Sequence, residues 1–421
     1  MSSIAAGGGG AAAAAAATAL IGVSEIEGKG RALVASQPLR AGELLLRDSP
    51  ILVYSALPFM IPPPPGQYHH ISYCYRANCF RSLPPPSSSA TLLSCPTCPD
   101  NQAQNQVLFC SPRCQTTALA SSHSPWVCQA LTRLRACPSP LLQHDRQVQA
   151  RYLVAAYNLS VISPPAFRTL LSLQGESAAD NHAAIFLHSL ISSLSPPPHS
   201  SLELTAALLA KDKLNAFGLM EPFAEERERS VRAYGIYPRA SFFNHDCLPN
   251  ACRFDYVDAD HPDADHNTDI IVRAIHDVPQ GREICLSYFP VNLKYSDRQR
   301  RLREDYGFIC ECDRCKVEAN WSDNDDEEEI MGSNGDLNEA MDEDFDENTD
   351  DYDSGDPAAT EDSDFPHAYF FLTYMCNRNN CWGTLAPLPP SSGATPISGM
   401  ECNVCGNVKH FDELMGGDVL V

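Results

Sequence analysis

No stretch of this chain reaches the roughly 18 consecutive apolar residues needed to span a bilayer, and its alanine run near the amino terminus is short and weakly hydrophobic. It also shows no charged segment followed by an apolar run and a cleavage site, and its Ala/Gly-rich tail lacks the arginines of an organellar transit peptide. A soluble, intracellular chain with no membrane partner is therefore expected. Basic charge is missing from one place in particular. Asp323 to Asp364 holds 20 acidic residues and no basic one, so the rest carries 33 acids against 30 bases and the net charge of -23 is local. A near-neutral body beside an acidic tract is repelled by phosphate backbones, so direct nucleic-acid binding is not expected. No helix-length segments alternate with the strand-like runs of the last third, which excludes a doubly wound sheet and leaves an α+β class.

What the chain does have is cysteine, 18 in all. They fall in short pairs, and in a reducing compartment that pattern points to zinc rather than to disulfides. Cys74-x4-Cys79, Cys95-x2-Cys98, Cys110-x3-Cys114 and His123-x4-Cys128 supply eight ligands, enough for two tetrahedral zinc sites. A module this small needs such staples because its apolar core is thin. Cys310-x-Cys312-x2-Cys315 leaves a third tetrahedral site one ligand short. Cys376-x4-Cys381 and Cys402-x2-Cys405 flank a Gly/Pro/Ser loop and read as a ribbon-like fourth site. Cys137, Cys252 and Cys285 read as ordinary core or surface residues.

Composition divides the chain further. Residues 1–19 are an Ala/Gly tail expected to be disordered, and 20–70 read as two or three strands joined by tight turns before Pro62 to Pro65 stiffen the connector. The cysteine-rich module occupies 71–130. Residues 131–230 carry Leu- and Ala-rich amphipathic stretches interrupted by Pro164-Pro165 and Pro196 to Pro198, so a helical insert is expected. Short strands return over 231–290. A charged helix, KYSDRQRRLRED, opens the segment 291–320. The acidic tract at 321–365 is expected to be a disordered linker, and 366–421 holds the last four cysteines.

The densest stretch is Ser241 to Ala251, SFFNHDCLPNA, which packs Asn244, His245, Pro249, Asn250 and a thiol, Cys247, with no thiol neighbour before it. Together with Gly281, Glu283 and Tyr288 of GREICLSY it resembles the SET-domain protein-lysine methyltransferases. The first cysteine array resembles a MYND finger, which narrows the resemblance to the SET-and-MYND subgroup. Its four-residue first spacing and long Leu83 to Thr91 loop depart from the usual finger. The resemblance covers roughly Ile21 to Cys315.

The resemblance implies a β-rich SET domain split by a MYND finger and a helical insert, with a zinc-tied post-SET tail. It implies interleaved finger ligands, with Cys74, Cys79, Cys110 and Cys114 on one ion and Cys95, Cys98, His123 and Cys128 on the other. It also implies that Cys247 supplies the ligand missing beside Cys310, Cys312 and Cys315. S-adenosylmethionine would lie against Lys29, Gly30 and Arg31, with Ser241, Asn244 and His245 holding it. Asn215 either lines the cleft or ends a helix. Tyr288 would orient the amine as the catalytic residue and also contact the cofactor, while Tyr306 and Phe308 close over the adenine or line the lysine channel.

The function implied is methyl transfer from S-adenosylmethionine to a lysine of a histone tail or another protein, by a monomer, nuclear and/or cytoplasmic. No strong general base is required, which fits the lack of an obvious catalytic Asp-His pair. The rival is a non-catalytic adaptor whose finger binds Pro-rich peptides. Only 106 residues follow Cys315, many of them acidic, so the helical-repeat domain of many relatives is expected to be absent.

Overall fold

Strands from the two halves of the sequence pair with each other, and that pairing positions everything else. The computed structural model describes residues 20–59, 72–84, 92–98, 107–137, 142–176, 182–198, 200–226, 229–258, 264–320, 367–389 and 399–410. The amino-terminal tail, the Pro62 to Pro65 connector and the whole acidic tract lie outside these residues.

Strands β1 (Ile21–Ile26) and β2 (Gly30–Ala35) form an antiparallel hairpin. Its turn holds Gly28 and Gly30 at φ 76° and 75°, a left-handed conformation that disfavours any side chain. β3 (Leu44–Asp48) and β4 (Leu52–Ser55) follow, so this region contains four strands rather than two or three. Ser49-Pro50 breaks the run between them, and the two halves go to different sheets. Two short finger strands, β5 (Leu93–Ser94) and β6 (Leu108–Phe109), pair with each other.

Helices α1 (Pro112–Leu119) and α2 (Pro125–Arg135) each begin with a serine cap and a proline in the first turn. Ser111 and Ser124 accept hydrogen bonds from Cys114 N and Val127 N, which satisfies amides the helix itself cannot. The insert continues as α3 (His144–Ile162), α4 (Pro164–Leu171), α5 (His182–Ser192) and α6 (Leu202–Asn215). Pro164 and Pro165 open a helix instead of merely interrupting one, because the first turn needs no amide donor. The buried side of α3, with Tyr152, Leu153, Val154 and Tyr157, packs on Leu52 and Tyr54 of β4.

The helical insert stops at Asn215, short of residue 230. Ala216 turns extended, and Ala216–Met220 is strand β7, paired with β8 (Val231–Ile236), which pairs in turn with β4. The remaining strands are β9 (Asn244–His245), β10 (Ala251–Asp255), β11 (Ile270–Ala274) and β12 (Cys285–Leu286). β11 lies between β10 and β3, and the two-residue β9 runs parallel to β12. A second core of Leu33, Leu45, Leu46, Phe243, Val272, Ile284 and their neighbours fills the space among these sheets.

The charged segment after the strands is α7 (Tyr295–Arg301) followed by a π turn at Leu302–Tyr306 and then α8 (Asp313–Glu318). The finger is tied to the strands by buried charge. Arg232, fully buried, reaches Glu221 at 2.8 Å and Asp258 at 2.9 Å, and Asp258 accepts from Ser82 of the finger at 2.6 Å. Near the carboxy terminus α9 (Ala368–Tyr374) precedes a three-stranded sheet, β13 (Leu385–Pro387), β14 (Gly399–Cys402) and β15 (Val408–His410). Among the described residues no helix is long and apolar enough to cross a membrane.

Candidate active site and metal centres

Asn250 fixes the turn on which the site is built. Its Oδ1 accepts from Cys285 N at 2.8 Å, its Nδ2 donates to Glu283 O at 2.8 Å, and its own carbonyl accepts from Ile275 N. One side chain thus stitches the 244–251 turn to the segment that ends in Tyr288. Glu283 extends the stitching, accepting from Asn244 Nδ2 at 2.8 Å and pairing with Lys29 Nζ at 2.7 Å. Burial works against the charge on Lys29, but Glu283 outweighs it and holds the ammonium above its ordinary pKa. The glycine hairpin is in this way locked to the Asn244 turn.

His245 is buried, and burial pushes its imidazole down to about 3. Its Nδ1 accepts from Tyr288 N at 3.1 Å, which places the proton on Nε2, 3.2 Å from Cys247 Sγ. A neutral ring therefore joins the tyrosine to the thiol. The Tyr288 hydroxyl donates to Phe243 O at 3.0 Å, and burial, with Tyr306 beside it, holds the phenol well above its ordinary pKa. Its single proton is committed to that carbonyl. The oxygen lone pairs are left for another partner.

Aromatic rings close around this tyrosine. Tyr306 lies 4.7 Å and His245 5.2 Å from the Tyr288 ring, centroid to centroid, and Phe308 lies 6.5 Å from His245. Beneath them Cys247 Sγ is 3.5 Å from Cys315 Sγ and 3.9 Å from Cys310 Sγ, and all four ligand sulfurs, Cys312 included, lie within 4.8 Å of one another. A tetrahedral ion with bonds of about 2.3 Å to sulfur needs sulfurs about 3.8 Å apart, so the set suits a metal ion. The lone thiol and the trio do meet.

The finger forms two such sets, Cys74, Cys79, Cys110 and Cys114, and Cys95, Cys98, His123 and Cys128. These are the interleaved pairings expected from the sequence. His123 is fully buried, burial lowers it to about 4, and its Nε2 faces Cys98 Sγ at 3.4 Å, so a neutral imidazole presents the correct atom. The four-residue spacing of Cys74 and Cys79 is accommodated, with Cys79 Sγ 3.7 Å from Cys110 Sγ.

Three expected residues spend their side chains locally. Ser241 donates to Tyr237 O at 2.9 Å, and Arg31 donates to Ser172 O at 2.7 Å while stacking 4.7 Å over Phe242. Asn215 is buried at the end of α6, where its amide donates to Gln174 O and Lys211 O, both at 2.7 Å. That amide holds the loop after α4 against the helix end. Arg298 was not foreseen. Fully buried, it points Nε at Cys247 Sγ, 3.3 Å away, and Nη2 at Cys315 Sγ, 3.7 Å away, while Nη2 also pairs with Glu318 at 2.5 Å. Only burial separates it from Arg300 and Arg301 in the same basic run, and no sequence signal marks it.

A family profile for the SET domain matches residues 30–289, more than half of the chain. The chain belongs to the SET-domain family. Histone-lysine N-methyltransferase ASHR2 of Arabidopsis thaliana is 52% identical over 412 residues, covering 93% of this chain and 95% of that protein. Protein-lysine N-trimethyltransferase SMYD5 of Gallus gallus is 30% identical over 42% of this chain and 40% of its own length. Histone-lysine N-methyltransferase SMYD3 of Mus musculus is 25% identical over 69% of this chain and 60% of its own. The matched SET span begins at Gly30 and ends at Phe289, one residue beyond Tyr288, and so contains the finger and the insert as interruptions.

Proposed function

We infer that this chain is a protein-lysine N-methyltransferase that uses S-adenosylmethionine, with zinc in the two finger clusters and at the Cys247 junction. The observation that carries the reading is the convergence of Tyr288, His245, Asn244 and Tyr306 above the Cys247 cluster. The donor set suits the methyl donor. At Gly28 and Gly30 no heavy atom lies within 4 Å of where a Cβ would stand, so the hairpin backbone faces open space. The side chains of Lys29 and Asn244 meet at Glu283 and that of Arg31 at Ser172, so polar contacts beside it would come from main-chain groups, and Tyr306 and Phe308 offer aromatic faces suited to a purine.

When bound, S-adenosylmethionine supplies an electrophilic methyl group on a sulfonium. The protein must then present a neutral lysine amine, although a free lysine has a pKa of about 10.4. Burial against Tyr288, Tyr306 and His245 would disfavour the ammonium. The Tyr288 hydroxyl donates its hydrogen bond to Phe243 O, which leaves its lone pairs to orient an amine N–H and would let them stabilise the positive charge on a bound methyl donor. It stays a neutral phenol, so it positions rather than deprotonates. Alignment supplies most of the acceleration.

The acceptor we propose is a lysine in an extended protein segment, with a histone tail the first candidate on the strength of the relatives' names. Incubating the purified chain with labelled S-adenosylmethionine and core histones or cell lysate tests this. Label on lysine, reduced about 10²–10³-fold in Tyr288→Phe, is the expected result. No transferred label together with no cofactor binding heat overturns it in favour of an adaptor.

A further inference from the structure

The carboxy-terminal cysteines lie outside the finger, the active-site turn and the matched SET span, yet the structure assigns them a definite task. Sγ of Cys376 is 3.8 Å from that of Cys405, and Sγ of Cys381 is 3.5 Å from that of Cys402. All four sulfurs fall within 4.8 Å of one another, with Cys376, Cys381 and Cys402 buried. Soft thiolates at tetrahedral spacing select zinc over the hard cations. The Val404 amide donates to Cys402 Sγ at 3.4 Å, as amides do around ligating sulfurs. The apolar residues about the cluster are few, chiefly Leu385 and Met400 with Phe223, Tyr374 and Val404 at the edge, too little to hold three short strands together unaided.

We propose that Cys376, Cys381, Cys402 and Cys405 bind a further zinc ion whose role is to staple the carboxy-terminal segment onto the SET sheet β3-β11-β10. A series of contacts places the segment there. Arg273 of β11 is only 2% exposed, and its carboxylate partner is Glu401, 2.8 Å away and 128 positions along the chain. Tyr256 donates to the same carboxylate at 3.0 Å. Asn403, inside the Cys402-to-Cys405 knuckle, donates to Arg253 O of β10 at 3.0 Å. Ala386 of β13 is fully buried in a small core with Cys252, Phe254 and Ile275. At Gly42 a Cβ would stand 2.6 Å from Leu388 O, so the segment lies directly on the turn before β3. Phe371 of α9 lies under the Arg314 guanidinium at 4.8 Å, next in sequence to the ligand Cys315.

A core arginine whose countercharge comes from the ribbon shows that the ribbon completes the sheet instead of hanging from it. The stapled strand β10 starts at Ala251, immediately after Asn250 of the active-site turn. The ion acts on the site through that strand and touches no reacting atom.

Neither metal content nor hydrogen exchange depends on the methyl-transfer reading, so the two stand or fall separately. Metal analysis of the purified full-length chain should give four zinc ions, and the Cys381→Ser/Cys402→Ser double variant one fewer. Equal metal in the two, or three ions in the wild type, overturns the site. Hydrogen exchange in 251–255 and 270–274 should quicken at least tenfold in the double variant, with finger residues 107–119 unchanged. Unchanged exchange in those strands overturns the staple. Should the double variant fail to fold, Glu401→Gln keeps all four ions and should loosen the same two strands; if it leaves them protected, the staple is likewise overturned.

Discussion

The finger and the active-site turn each gather ligand atoms within 4.8 Å, but they draw them from very different lengths of chain. All eight finger ligands lie between Cys74 and Cys128, whereas Cys247 meets Cys310 and Cys315 from 63 and 68 positions away. Ligands close in sequence make a module that closes on itself. A ligand borrowed from afar makes a junction, and here the junction carries Tyr288 and Tyr306 to one place. The finger is held to the rest by charge and hydrogen bonds through Arg232 and Asp258, while the active-site turn adds the cluster to the hydrogen bonds of Asn250 and Glu283.

The sharpest way to break this contrast is Cys247→Ser. Structural zinc in small domains is worth about 10–16 kcal/mol at neutral pH, so loss of the thiol should remove one zinc ion and abolish cofactor binding, read by metal analysis and calorimetry. Tyr288→Phe should leave metal content and cofactor affinity in place and lower turnover about 10²–10³-fold, measured with labelled cofactor. Arg298→Gln keeps every ligand but withdraws the guanidinium from two thiolates and leaves Glu318 with Arg314 as its arginine partner. It should speed zinc release to a colorimetric chelator by about 10–100-fold at one site, leaving the finger ions unaffected. Cys98→Ser, by contrast, should cost a finger ion and finger protection while cofactor affinity changes by less than about threefold; a larger loss would show the finger to be coupled to the cleft.

Among its described residues the insert has no such cluster, and its lever is a proton. Burial lifts Asp212, which accepts from the Tyr54 hydroxyl, to about 7 from an ordinary 3.8. Ionising it costs more inside the fold than in the open chain. Stability should therefore fall as pH rises from 3.8 through about 7 and level off above, a loss on the order of 4 kcal/mol. Asp212→Asn should flatten that slope in denaturant titrations at pH 5 and pH 8.

The thiol spacings made eight finger ligands and an incomplete trio legible in the sequence, while the division into two sets and the Cys247 junction were what the resemblance implied. Tyr288 was legible through the same resemblance, and the structure adds the Asn250 contacts that tie the turn to GREICLSY. Where local pattern was the only guide, the reading slipped. Pro164-Pro165 looked like an interruption but starts α4, and Ala216–Met220 looked like insert but pairs with β8, a choice made by a neighbouring strand rather than by its own residues. The side chains of Asn215, Ser241 and Arg31 answer to the Gln174 loop, Tyr237 and Ser172, partners that their own sequence positions do not reveal. Arg298 was invisible because burial, not identity, distinguishes it. The docking of the ribbon depends on Arg273 and Glu401, which no spacing rule connects.

The parallel ladder of Asn244–His245 with Cys285–Leu286 is two residues long on each side. So short a pairing cannot persist by itself, and it waits for the sheets on either flank. The cleft should consequently be the last part of a newly made chain to assemble, after the ribosome has released the thiols at 310 to 315. A nascent or half-formed molecule would then be inert toward the methyl donor, and competence would arrive in a single late step.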